Sequence, residues 1–308
     1  MKALTLRLLF VLACFTSPFL AAQSGNNEHC KNPSNSLLWE VKGESSTVYL
    51  FGTLHFGKSD FYPMAPEIET AFRSAENLVF EVDLNDANSL DFALKMQQEG
   101  LLPPGTSLKD QLSPGTVEKL IATTQRMGLP SAQLMQLKPW FLSITLTAQQ
   151  LVTLGYQPDL GTEYYLARER SEGTQILELE SLDEQLKFLQ KLNNESFLEY
   201  TLDSLNEGSE LLSGITKAWE CADKDTLAEL LVESFDADVL SKQEAQELKD
   251  VFLINRNKKM AEQIDGYLKS GQGSYFVAVG AAHYLGEDSI IDFLQDKKYS
   301  VKAVKLKQ

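Results

Sequence analysis

Histidine and cysteine are scarce in this chain: 3 of each among 308 residues. So few Cys exclude a disulfide-dense scaffold and any multi-Cys zinc module. Positive charge is also short, with 28 Lys+Arg against 43 Asp+Glu and a formal net charge of −15. Nucleic-acid binding needs clustered cations to displace counterions, so the composition argues against a nucleic-acid partner. The one basic run, Lys297-Lys298 through Lys307, reads as a C-terminal strand with solvated lysines. Gly-x-Ser-x-Gly, a phosphate loop and His-Glu-x-x-His are all missing. Outside the N-terminus no apolar run reaches the roughly 18–20 residues of a membrane helix. No Pro/Gly/Ser-rich linker divides the chain, and no solenoid period is found.

What is present begins with a leader. Lys2 and Arg7 precede an almost wholly apolar run, Leu8 to Ala22, and a polar Gln23-Ser24-Gly25 follows. This is the layout of a secretory signal, so residues 1–22 are expected to be a signal peptide and 23–308 the mature domain. The expected location is secreted or periplasmic, with a lipid anchor at Cys14 as the alternative. Removing residues 1–22 takes away two cations and no acid, so the net charge becomes −17. It also leaves only Cys30 and Cys221. In an oxidising compartment these most simply form one disulfide, and two separate buried thiols are the alternative.

The mature chain reads as α/β. Strand-like runs occur at Thr47–Phe51, Leu78–Val82, Gln175–Leu179, Tyr275–Val279 and Ser300–Val304. Helical patterns occur at Ala65–Ala75, from Ser113-Pro114 to Gly128, at Leu134–Leu154 around Pro139, and at Glu163–Arg170. A long helical region spans Ser181 to about Ser234, and another Ser241 to Ser270. The expectation is a single compact domain: a mixed β-sheet covered by helices, with large helical insertions at about 88–160 and 181–270.

Two of the three histidines share one setting. The first reads Val48-Tyr49-Leu50-Phe51-Gly52-Thr53-Leu54-His55-Phe56-Gly57, and the second Phe276-Val277-Ala278-Val279-Gly280-Ala281-Ala282-His283-Tyr284-Leu285-Gly286. Each is an apolar strand, then Gly-x-x-His, then an aromatic and, one or two residues on, a Gly. A Gly at a strand end permits a sharp turn and close approach of another group. The His then projects from the carboxyl edge of the sheet, where open α/β folds place ligands. If the two strands are neighbours, the imidazoles converge, and a divalent metal is the commonest reason for such a pair. The alternative is two His that cap strand ends.

Carboxylates supply the rest. Glu81 interrupts an apolar run, where an ionised group is costly unless paired or metal-bound; a Glu on a water-facing edge is the alternative. Glu180 sits at a strand end beside Ser181, and a helix N-terminal charge is its alternative reading. Glu163, in Gly161-Thr162-Glu163, has the same ambiguity. Arg256-Asn257 interrupt an amphipathic helix. Arg256 is suited to a substrate carboxylate or an oxyanion, or to a surface helix pair.

These residues resemble the TraB/GumN family, related to the Tiki membrane-linked proteases and more distantly to erythromycin esterase and ChaN-like proteins. Leu50–His55 and Val279–His283 carry the likeness. Phe80-Glu81-Val82-Asp83, Leu179-Glu180, Arg256-Asn257 with Met260-Ala261, Trp39 and Ala218-Trp219 support it, over about 37–304. The resemblance implies a compact α/β fold in which His55, His283 and Glu81 form one site with Arg256 and Asn257 nearby. Its Tiki branch implies a divalent-metal-dependent peptidase. The family pattern often has Asp where this chain has Glu163; the longer side chain alters reach, and Glu163 is left out of the expected site.

The expected function is therefore a metal-dependent hydrolase of the peptidase kind, acting on a peptide or small-molecule substrate. His55, His283 and Glu81 would bind Mn, Co or Zn, with Glu81 as ligand or general base. Glu81, Glu180, Arg256 and Asn257 would make up the catalytic set. The alternative is a non-catalytic binding protein for a peptide, haem or another small ligand.

Overall fold

The computed structural model describes residue 30 and residues 36–83, 86–207, 209–232, 241–270 and 272–307. The segment read as a signal peptide, Cys14 and His29 lie outside the described residues.

The chain forms strands β1 (Leu38–Lys42) and β2 (Ser46–Thr53), helix α1 (Pro66–Ser74), β3 (Asn77–Phe80) and then a helical excursion. That excursion holds α2 (Asp86–Gly100), α3 (Pro114–Arg126), α4 (Ser131–Leu134), α5 (Pro139–Thr153) and α6 (Thr162–Glu169). Strand β4 (Gln175–Glu178) follows. A second excursion holds α7 (Leu182–Gln190), α8 (Glu195–Glu207), α9 (Ser209–Glu220), α10 (Lys224–Leu231), α11 (Lys242–Lys249) and α12 (Asn255–Ser270). The chain closes with β5 (Gly273–Gly280), α13 (Ile290–Asp296) and β6 (Val301–Ala303).

The six strands form one mixed sheet in the order β4-β3-β5-β2-β1-β6. β4, β3, β5 and β2 run parallel, while β1 is antiparallel to both β2 and β6. The α/β expectation, with helical insertions over a mixed sheet, is met. Helices cover both faces, which is why Phe276, Val277, Ala278 and Val279 of β5 are all fully buried without alternation. Burying Phe276, Val277 and Val279 contributes roughly 1.5–3 kcal/mol each relative to exposure.

Several boundaries move. β1 is a strand beyond those expected; buried Leu38 shares a face with polar Glu40 and Lys42, so its five residues show no clean alternation. The run expected to extend to Val82 ends as a strand at Phe80, although the Glu81 carbonyl still accepts the Glu180 N–H at 2.8 Å. Pro139 starts α5 rather than kinking one long helix, as a first-turn Pro should. The long 181–234 region is four helices, opened by a Ser181–Glu184 capping box and broken at Cys221–Asp223, where Ala222 adopts φ 46.

The two excursions share a second core. Leu108, Leu120, Leu142 and Leu146 of the first pack with Leu198 and Leu202 of the second. Cys30 and Cys221 are disulfide-bonded, tying the N-terminal segment to the turn after α9. Beside it, the buried Trp219 indole donates to the Gly52 carbonyl at 2.9 Å, bracing the end of β2.

Candidate active site

The four parallel strands each deliver one residue to the same edge. His55 follows β2, Glu81 follows β3, Glu180 follows β4 and His283 follows β5, all just beyond the carboxyl ends. The parallel β2–β5 pairing sets Gly52 beside Val279 and Thr53 beside Gly280, so both Gly-x-x-His turns leave the sheet side by side.

The space between them is held open by Gly280. A Cβ built there would lie 3.2 Å from Glu81 Oε1, 3.7 Å from His283 Cδ2 and 3.8 Å from His55 Nε2. Both imidazoles and the carboxylate therefore border one small volume, which a side chain at 280 would enter.

Despite their matching sequences, the two histidines sit differently. His283 lies in a single 3-10 turn, Ala281–Tyr284, and is 3% exposed. Its Nδ1 stands 2.5 Å from Asn257 Oδ1. The Asn257 amide nitrogen donates to the Asp288 carbonyl at 2.9 Å, which fixes Oδ1 as the acceptor and places the imidazole proton on Nδ1. Nε2 then carries a lone pair, and it faces Glu81 Oε1 at 3.5 Å. Burial is the main cause that pushes the His283 pKa down, to about 4, against the pull of Glu81. His283 is neutral at pH 7.

His55 sits in an open bend, with its side chain 66% exposed. Its Nδ1 is 2.8 Å from Glu163 Oε1, and the Glu163 carboxylate raises its pKa to about 9. Solvent at the mouth of the site moderates that attraction, but the direction is set by the adjacent carboxylate.

Glu81 is buried and heavily held. Oε1 accepts the Gly280 N–H at 2.8 Å; Oε2 accepts Arg256 Nη2 at 2.7 Å and Gln185 Nε2 at 3.4 Å. Burial pushes its carboxyl up, yet Arg256, with His55 and the Gly280 N–H, holds it below the usual carboxylate range. Arg256 is cationic at every relevant pH, so that direction stands with His283 neutral. Held in this way, Glu81 is ionised at neutral pH.

Arg256 and Asn257 open α12, directly after a π-form stretch, Asp250–Ile254, that shifts the helical register. Arg256 donates from Nε and Nη2 to Glu180, at 2.7–3.1 Å, as well as to Glu81, and from Nη1 to the Phe252 carbonyl. Its guanidinium is thus committed to two protein carboxylates, neither a surface pair nor a group standing free for a substrate carboxylate. Glu180 is buried on Arg256, and the helix-capping charge of α7 is Glu184 instead.

All the expected residues are gathered here. Glu163, left out at the sequence level, belongs with them through His55. The signal that pointed to it was the acidic position in the family pattern.

The donor set suits a divalent cation in kind and direction. Both Nδ1 atoms are held by an oxygen, the usual arrangement of metal-ligating histidines, leaving each Nε2 on the shared volume. Glu81 Oε1 adds a hard anionic donor. Among the described residues no group of three or more His, Cys, Asp or Glu side chains is drawn up at the spacing of a preformed centre. His55 pairs with Glu163 and His283 with Glu81 instead.

The model of the TraB/PrgY/gumN family matches residues 37–303. Among curated proteins, a metalloprotease TIKI homolog of Nematostella vectensis is 27% identical, over 100% of this chain and 77% of its own. The uncharacterized protein YbaP of Escherichia coli (strain K12) is 26% identical, over 80% of this chain and 87% of its own. Metalloprotease TIKI2 of Xenopus tropicalis is 25% identical, over 87% of this chain and 60% of its own. No solved structure is significantly similar to the chain. The match spans the sheet, both Gly-x-x-His turns and the helix carrying Arg256, and the chain belongs to the TraB/PrgY/gumN family.

Proposed function

We propose that this protein is a metal-dependent hydrolase, peptidase-like, in which His55, His283 and Glu81 hold a divalent cation. The observation that carries the reading is the volume beside Gly280, bordered by both imidazoles and Glu81, with each Nδ1 already held from outside. The naming of relatives from Nematostella vectensis and Xenopus tropicalis as metalloproteases supports the reaction class. Mn, Co and Zn are the candidate metals. When bound, such a cation supplies an activated water and stabilises oxyanion charge.

The chain's own residues supply the frame. Asn257 keeps the proton of His283 on Nδ1 and so keeps Nε2 available as a donor atom. Arg256 occupies Glu81 Oε2 and leaves Oε1 turned to the shared volume. Arg256 also sets one positive charge between the two buried carboxylates of Glu81 and Glu180. The exposed His55 edge is the side from which a substrate reaches the site, since His283, Glu81 and Glu180 are all closed off from solvent.

The test is metal content of the mature protein by elemental analysis, with cleavage of a peptide library before and after chelation. Retained metal, and cleavage lost both on chelation and in His55→Ala, is the expected result. Ligand binding unchanged by chelation, with no cleavage under Mn, Co or Zn, would instead establish a non-catalytic binding protein. The proposed location is outside the cytoplasm, supported by the leader-like sequence and the Cys30–Cys221 bond. Among the described residues no helix is long and apolar enough to cross a membrane.

A further inference from the structure

The ring of His55 is not held by its own motif. Its turn is gripped, residue by residue, by the segment 157–163, about 100 positions later. Gly57 and Gln157 exchange backbone hydrogen bonds, at 3.0 and 2.8 Å. The Thr162 N–H donates to the Leu54 carbonyl at 2.9 Å, and the Thr162 hydroxyl accepts the Leu54 N–H at 3.1 Å. Gly161 lies so close that a Cβ there would meet the His55 carbonyl oxygen at 2.2 Å. Only a residue without a side chain fits that approach. The Tyr62 hydroxyl, on the far side of the turn, donates to the Leu160 carbonyl at 2.8 Å. At the centre, one oxygen of Glu163 takes two partners: the buried Thr53 hydroxyl at 2.5 Å and His55 Nδ1 at 2.8 Å.

An ion pair on an exposed histidine is ordinarily worth little. This one is different in its support. The Glu163 side chain is only 12% exposed, and Thr53 and the surrounding backbone bonds fix where its carboxylate lies. With Nδ1 bound there, the ring has one orientation, and in it Nε2 comes to the volume beside Gly280.

We propose that Glu163, set by the Gly161-Thr162-Glu163 turn, is the positioning residue of His55, holding its ring so that Nε2 faces Glu81 and Gly280. The return of the first helical excursion to the sheet thus supplies half of the site's alignment. Asn257 does the same for His283 with a neutral amide, so the paired motifs are served by two chemically different supports. The inference deepens the metal reading, on which its affinity arm rests; its orientation arm does not need a metal.

The experiment compares wild type, Glu163→Ala and Glu163→Gln. The first measurement is the ¹⁵N resonances of the His55 imidazole in metal-free protein; the second is Mn²⁺ and Co²⁺ affinity by calorimetry. Glu163→Ala is expected to shift the His55 nitrogens and to weaken metal binding by about 10–100-fold. Glu163→Gln keeps the shape and an acceptor oxygen, so it should retain the Nδ1 proton and lose several-fold less affinity. A thermal unfolding curve confirms that each variant is folded, and if Glu163→Ala is not, Glu163→Met, which removes both oxygens but keeps the bulk, takes its place. Unmoved His55 resonances in the folded variant that lacks the acceptor oxygen overturn the positioning role, whatever metal does. Moved resonances in a protein that takes up no metal at all uphold the positioning role and remove the metal reading instead.

Discussion

Arg256 Nη2 lies 2.7 Å from Glu81 Oε2 and equally 2.7 Å from Glu180 Oε2, joining residues 175 and 76 positions apart. All three side chains are nearly closed to solvent. Deleting the cation leaves two buried carboxylates with no guanidinium between them, Glu81 keeping only the Gly280 N–H and the Gln185 amide. Arg256→Met is expected to cost about 3–5 kcal/mol of stability. Arg256→Lys should cost less, though it cannot reproduce the two-carboxylate fork. Chemical denaturation of the purified variants measures both; a loss under about 1 kcal/mol for Arg256→Met would show that the network is not structural.

The two histidines impose opposite pH dependences. His283 titrates near pH 4 when folded and near 6.5 when unfolded, so its contribution is complete above pH 6.5 and is lost as pH falls towards 4. His55 is raised, so its contribution is present below pH 6.5 and is lost as pH rises towards about 9. Solvent exposure makes the alkaline effect the smaller one. Melting temperature measured from pH 4 to 9 should therefore fall at the acid end, and the slope between pH 6.5 and 4 should flatten in His283→Gln. An unchanged acid slope in that variant would reject the assignment of a buried, neutral His283.

Gly280 has a negative φ, −48 with ψ 136, outside the left-handed region that favours glycine, so its backbone does not exclude alanine. Its methyl would nonetheless enter the volume between Glu81 Oε1 and His55 Nε2. Gly280→Ala should stay within about 1 kcal/mol of wild-type stability while losing metal uptake and any metal-dependent cleavage. Calorimetric metal titration beside a melting curve checks this; full uptake in the variant would move the cation elsewhere.

The Cys30–Cys221 bond closes a loop across 191 positions. Cross-links over such spans chiefly restrict the unfolded chain, and the double variant Cys30→Ser/Cys221→Ser is expected to lose about 2–5 kcal/mol. Unfolding with and without reductant is the check. Equal stability in both conditions would mean that the bond adds nothing to the mature protein.

Much of the site was legible because its signals are local. Gly52 and His55, and Gly280 and His283, each fall within one strand and its turn, and the strands announce themselves by Val, Phe and Tyr content. Glu81 was visible as a charge in an apolar run. What could not be read were partnerships between distant segments. Arg256 looked equally suited to a substrate, because the sequence does not show that β3 and β4 end beneath α12. Glu163 looked like any first-turn acid of a helix; only the backbone bonds around Leu54 and Gly57 bring it to His55. The core shared by Leu142 and Leu198 was hidden for the same reason: each helix shows an apolar stripe, but not whose stripe meets it.

The placement of one functional side chain after each of four parallel strands has a consequence for synthesis. His55 leaves the ribosome early and His283 near the end, with both helical excursions between them. Their strands cannot pair until nearly the whole chain exists, and β3 has no place beside β5 before then. A truncated or half-folded product holds at most a scattered subset of the reactive groups. The pocket is thus a certificate of completed folding, and whatever chemistry it performs is withheld from any product that stops before β5 or fails to pair it.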